Sequence, residues 1–111
     1  MSDPGSIVAA RLADLWRTSR PTVLERVAIL RDAHQSLAAD PADSEARTRG
    51  REAAHKLSGV LGVFGLPRGS ELAAEIEALL KTEGALSPDQ LSSLSLLAAE
   101  LDAVIASKPA G

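Results

Sequence analysis

An all-α fold, an antiparallel four-helix bundle with an additional N-terminal helix, is predicted by three observations. Aromatic residues make up 2 % of the 111 residues, one Trp and one Phe with no Tyr, inside a 45 % hydrophobic composition rich in Ala and Leu. Helix formers are therefore abundant and strand formers scarce. Apolar residues recur at the three-to-four spacing of one helical face, and proline, glycine and capping residues cut that periodicity into five segments.

The first segment runs from about residue 6 to 18 and directs Ile7, Leu12, Leu15 and Trp16 inward. Trp16, as a large aromatic, belongs in the core or at its cap and not on a ligand platform. The second segment follows Pro21, where Thr22 and Glu25 have capping-box spacing, and continues through Val23, Val27, Leu30 and Leu37 to about Ala39. A turn at Asp40-Pro41-Ala42-Asp43 precedes a long third segment that ends near Gly65. Pro67 opens the fourth, which packs Leu72, Ile76, Leu79 and Leu80. Ser87-Pro88-Asp89-Gln90 is a capping signature with proline at the first helical position. The last segment then places Leu91, Leu94, Leu97, Leu101, Val104 and Ile105 inward. Short connections favour antiparallel neighbours.

A length of 111 residues suits a single domain over 1–111, with 1–5 and 108–111 expected as frayed ends. The absence of cysteine removes a disulfide frame and a thiolate metal site and suits an intracellular protein. A net charge of −3 with interspersed signs lacks the basic footprint of a nucleic-acid binder. No apolar stretch approaches the roughly 20 residues of a bilayer span, and Met1-Ser2-Asp3-Pro4-Gly5 has no signal-peptide character. A cytoplasmic monomer that touches neither membrane nor nucleic acid is expected.

The third segment carries the candidate chemistry. On a wheel of 3.6 residues per turn, Ala46, Gly50, Ala53, Leu57, Leu61 and Phe64 gather on one side and His55 falls opposite their centre. Gly59 and Gly62 lie four and seven residues beyond His55, close to its azimuth. A glycine inside a helix costs about 0.8–1 kcal/mol relative to alanine. Its presence suggests space cleared for a partner's backbone, close helix crossing being the structural alternative. His34 falls near Leu30 and Leu37 and reads as a boundary histidine, while Arg47, Arg49 and Arg51 spread round the helix surface.

The string Ala54-His55-Lys56-Leu57-Ser58-Gly59, followed by Gly62, Phe64-Gly65-Leu66 and Leu72-Ala73-Ala74-Glu75-Ile76-Glu77, resembles the histidine-containing phosphotransfer (HPt) domains of bacterial multistep phosphorelays. The resemblance implies that His55 accepts a phosphoryl group from a receiver-domain aspartyl phosphate and hands it to another receiver aspartate. It implies response-regulator receivers and a (hybrid) sensor histidine kinase as partners. No intrinsic cofactor or ATP-dependent kinase activity is implied, Mg²⁺ being expected on the partner receiver. The chemistry agrees, because an ordinary histidine pKa of about 6.5 leaves the imidazole mostly neutral and nucleophilic near pH 7. No Gly-x-x-x-x-Gly-Lys-Ser/Thr phosphate loop is present.

One departure stands out. The family usually has lysine three residues after the histidine, and this chain has Ser58. Arg51, four residues before His55, is placed to supply the missing cation, and Lys56 reaches the ring only through its flexible stem. Thr48, Glu52, Gly59 and Gly62 are expected to rim the receiver contact. Two competitors share the composition. Glu52-x-x-His55 has di-iron spacing, but such sites need two such pairs and two further glutamates directed into the core, so no metal site is expected. A non-transferring helical bundle that binds a kinase or receiver is the other.

Overall fold

The computed structural model describes residues 3–110 as four helices, α1 (Pro4–Ala39), α2 (Ser44–Val63), α3 (Pro67–Leu80) and α4 (Pro88–Ala106), with no strand among them. Long-range contacts fix an antiparallel arrangement. Ala33 meets Gly50 while Trp16 meets Phe64 between α1 and the α2 end, Gly50 meets Leu80, and His55 meets Glu77. Gly69 meets Val104, Arg31 pairs with Asp102, and Trp16 lies against Lys108. Each helix thus packs on its chain neighbour, and α4 closes back on α1.

The five expected segments become four helices because the first two are one. Pro21 lies inside α1 as an exposed residue, and Thr22 and Glu25 are helix-interior positions that cap nothing. An interior proline forfeits the hydrogen bond to the carbonyl four residues back and costs about 3 kcal/mol or more. Here Trp16 before it and Val23, Val27 and Leu30 after it are all buried on the same helix, so packing on both sides carries α1 through. The separate N-terminal helix is therefore the first part of α1.

That first part also corrects the expected core. Trp16 is buried as expected, but Ile7, Leu12 and Leu15 are 52 %, 36 % and 55 % exposed. The reason is length: 36 residues rise about 54 Å, whereas the 20 of α2 rise about 30 Å. Roughly three turns of α1 project past the bundle along the 58 Å long axis. Asp3 caps this end, its side chain accepting from the Ser6 N–H at 2.8 Å. Those hydrogen bonds hold the Asp3 carboxyl below the usual carboxylate range, so the cap is present above the unfolded pKa and lost as pH falls.

The remaining core follows the expected pattern. Ala46, Gly50, Ala53, Leu57, Leu61 and Phe64 from α2 and its cap are buried, with Leu72, Ile76 and Leu80 from α3 and Leu94, Leu101 and Ile105 from α4. Ser87 and Gln90 form the expected capping box. Gly65, at φ 74°, ends α2: Leu66 N–H donates to Leu61 O at 2.9 Å and Gly65 N–H to Gly62 O at 3.2 Å. This paired closure needs a left-handed residue that glycine adopts without a Cβ penalty.

Two further features depart from expectation. Arg47, expected on the helix surface, donates to Thr82 O at 2.9 Å and also to Gly84 O, clasping the α3–α4 loop. Leu86 in that loop is buried and donates its N–H to Pro41 O at 3.1 Å. The C-terminal residues 108–110, expected to fray, lie against Trp16, whose indole N–H donates to Lys108 O at 3.1 Å. Lys108 Nζ in turn donates to Phe64 O at 2.7 Å and stands 5.7 Å from the Trp16 ring. At the other end, residues 4 and 5 belong to α1, while residues 1, 2 and 111 lie outside the described residues.

Candidate functional site

The inner face of α2 is what aims its outer face. Ala46, Gly50, Ala53, Ala54, Leu57 and Leu61 are all buried, so residues opposite that stripe are held toward solvent. His55 is one of them, with its side chain 74 % exposed. Its ring is not free to rotate, because Nδ1 lies 2.8 Å from Glu77 Oε2 on α3. Glu77 is only 15 % exposed and is held in the α2–α3 seam, with Lys81 Nζ 3.8 Å from the same oxygen. A carboxylate accepts from an N–H, so Nδ1 carries the proton in the neutral ring and the Nε2 lone pair is left toward solvent.

A shallow depression of about 180 Å³ beside the imidazole is lined by Arg51, Glu52, His55, Lys56, Glu77 and Lys81. Three cations thus border the space next to the ring. A second depression of about 330 Å³, on the α1 side, shares Glu52 and Lys56 and adds Arg26, Ile29 and Arg49. His55 therefore stands on a ridge between two recesses. Together they give a solvent-facing lone pair, cations interleaved with Glu25, Glu52 and Glu77, and open access, an arrangement that can present a nucleophilic nitrogen to a partner.

The expected site residues divide in three. Arg51, Glu52 and Lys56 gather with His55 as expected. Gly59 faces open space, with nothing within 4 Å of a Cβ built there, whereas at Gly62 a Cβ would touch Ser70 at 3.8–3.9 Å in ordinary contact with α3. Clearance of the outer face is therefore widest at Gly59, while at Gly62 a side chain as small as alanine would fit beside Ser70. Ser58 and Thr48 turn inward along their own helix: Ser58 Oγ donates to His55 O at 2.8 Å, and Thr48 Oγ1 to Ser44 O at 2.9 Å. Neither hydroxyl is directed at the imidazole.

Glu77 and Lys81 are the residues that sequence reasoning missed. Glu77 stood in plain view at the end of the Leu72-to-Glu77 string, but nothing in one sequence measures a separation across two helices. Lys81 follows it at the i,i+4 spacing of an ion pair, the one local signal that joins them. His34 is half-buried between Arg31, Gln35 and Asp102 at the α1–α4 seam, a boundary histidine as expected. Among the described residues no cluster of three or more His, Asp and Glu is arranged to hold a metal ion. None of the described helices is long and apolar enough to cross a membrane.

The sequence profile of the Hpt domain matches residues 14–107, most of the chain. The chain belongs to the Hpt domain family. Hpt domains as a class are phosphotransfer carriers of phosphorelays and interact with receiver domains and histidine kinases. It is similar to Protein RcaC of Microchaete diplosiphon, 28 % identical over 100 residues, which cover 90 % of this chain and 15 % of that protein. The chain thus spans a small fraction of the length of that curated relative. No solved structure matches it significantly. The Hpt match begins at Asp14, so the projecting turns of α1 lie almost wholly outside it.

Proposed function

We propose that this Hpt domain accepts a phosphoryl group on Nε2 of His55 from the aspartyl phosphate of one receiver domain and passes it to the aspartate of another. The Nε2 lone pair attacks phosphorus in line, a P–N bond forms as the P–O bond to the donor aspartate breaks, and the donor leaves as a carboxylate. The reverse exchange on the second receiver restores neutral imidazole. The Nδ1–H bond to Glu77 supports this role, since it keeps the tautomer that presents Nε2 and shares the positive charge that builds on the ring. Phosphoryl transfer depends chiefly on placement and on neutralising the phosphoryl oxygens. Lys81, Arg51 and Lys56 are the chain's cations for that purpose, in place of the lysine absent at Ser58. The partner receiver is expected to bring Mg²⁺ and the acidic pocket.

The observation that carries the proposal is the exposed, carboxylate-tethered imidazole beside the empty surface of Gly59. Mixing the chain with a phosphorylated receiver should give an acid-labile phosphate on the wild type and none on His55→Gln. A second reading draws on Ser58, whose hydroxyl faces the backbone and leaves no cation at the usual place. In that reading the bundle binds a receiver or kinase without accepting phosphate. Binding retained by the wild-type chain with no label would select it.

A further inference from the structure

The carboxylate that holds the imidazole also faces a second group. His55 Nδ1 lies 2.8 Å from Glu77 Oε2, and Lys81 Nζ stands 3.8 Å from the same oxygen. The two grips are unequal, because the first is a hydrogen bond and the second is longer than one. Lys81 is the cap residue of α3, and its backbone N–H donates to Glu77 O at 3.1 Å. Its main chain is thus fixed in the last turn while its side chain is 60 % exposed, leaving the flexible four-carbon stem free to move. Arg51 and Lys56 border the same depression, but neither pairs with Glu77. On α2 itself the position three residues after His55 offers no charge, the Ser58 hydroxyl being committed to His55 O.

We propose that Lys81 is an exchangeable counter-ion, resting on Glu77 while His55 is free and moving to the phosphoryl oxygens when His55 is loaded. This exchange rests on the phosphocarrier reading above and names the cation that answers the transferred charge and what releases it. While the imidazole is neutral, Glu77 is balanced by Lys81 alone. When Nε2 bonds to phosphorus and the donor aspartate leaves as a carboxylate, Nδ1 keeps its proton and the ring becomes positive. Glu77 is then balanced by the ring across the shorter contact, and Lys81 is released. The phosphoryl group meanwhile brings roughly two negative charges to the depression that Lys81 lines. One ion pair before transfer becomes two after it, with no proton moved. Giving up the resting pair costs little, since exposed pairs contribute little. Onward transfer reverses the sequence, the ring returning to neutral and Glu77 taking Lys81 back. Arg51 and Lys56 add a constant positive field and Glu52 a constant opposing one, so neither cation is switched by the state of the ring.

Nuclear magnetic resonance on the full chain, before and after loading from a phosphorylated receiver, tests the exchange with Lys81→Met as the probe and Lys81→Arg as the conservative control. In the unloaded chain Lys81→Met should shift the Glu77 carboxylate carbon. In the loaded chain it should leave that signal at its wild-type position and shift the phosphorus signal of His55 instead, with Lys81→Arg returning the phosphorus signal toward wild type. Loading should slow a few-fold in Lys81→Met and recover in Lys81→Arg, with helical circular dichroism unchanged in both because Lys81 is exposed. A phosphorus signal indifferent to Lys81→Met would overturn the exchange and leave the carrier reading standing. So would a Glu77 signal that still answers to the substitution after loading. A wild-type chain that takes up no phosphate would sink the carrier reading, and the exchange with it.

Discussion

Two glycines on opposite faces of α2 show how one helix serves packing and chemistry at once. At Gly50 a Cβ would come within 3.0 Å of Leu80 Cδ1 and 3.1 Å of Ala33 Cβ, so the absent side chain lets α1 and α3 close on α2. At Gly59 a Cβ would meet nothing. The same residue type is thus required by the fold in one place and not in the other. Since glycine costs a helix about 0.8–1 kcal/mol relative to alanine, Gly59 is an unrepaid cost to stability unless something outside the chain needs the space. The inner face spends its small residues on helix approach, and the outer face on access to His55.

The largest effect should come from the outer face. His55→Gln is expected to abolish phosphoryl uptake while changing stability by no more than about 0.5 kcal/mol, as for other exposed positions. Label transfer and thermal melting read the two quantities separately. Glu77→Gln, which keeps the size but not the charge of the tether, should slow transfer about tenfold or more, taking as a guide the scale seen when the outer partner of a metal-bound histidine is removed. Nitrogen NMR of the imidazole should show the tautomer balance shift with it. An unchanged balance would mean that Glu77 only packs.

The glycines give the next, opposed pair. Gly59→Gln should slow transfer severalfold without unfolding the domain, and transfer at the wild-type rate would remove steric clearance as the reason for this glycine. Gly59→Ala should raise stability by about 0.8–1 kcal/mol. Gly50→Ala should lower it, because overpacking costs about 1–3 kcal/mol against that same helical gain. Denaturant midpoints that move in the same direction for both variants would break the two-face account. Smallest of all, Arg51→Ala and Lys81→Ala are each expected to slow transfer by a few-fold, as shared cations on one exposed site do. An unaltered rate in Arg51→Ala leaves the compensation for Ser58 to Lys81 and Lys56.

Local patterns in the sequence determined the helices, the buried stripe of α2, the capping box at Ser87 and the outward place of His55. Each depends on periodicity or capping within a few residues, and such signals are written in the chain itself. Tertiary structure alone decided the rest. Pro21 looks like a boundary because its local preference breaks a helix, and only burial of Trp16 and Val23 on either side shows that α1 runs on. Ile7, Leu12 and Leu15 look like core because periodicity cannot tell how long the neighbouring helices are. Arg47 looks solvated because its carbonyl partners lie in a loop some 35 residues away. Glu77 is the clearest case: its meeting with His55 spans 22 residues and two antiparallel helices. Helix spacing in sequence fixes which face a side chain occupies, but which two faces touch is set by how the helices stack.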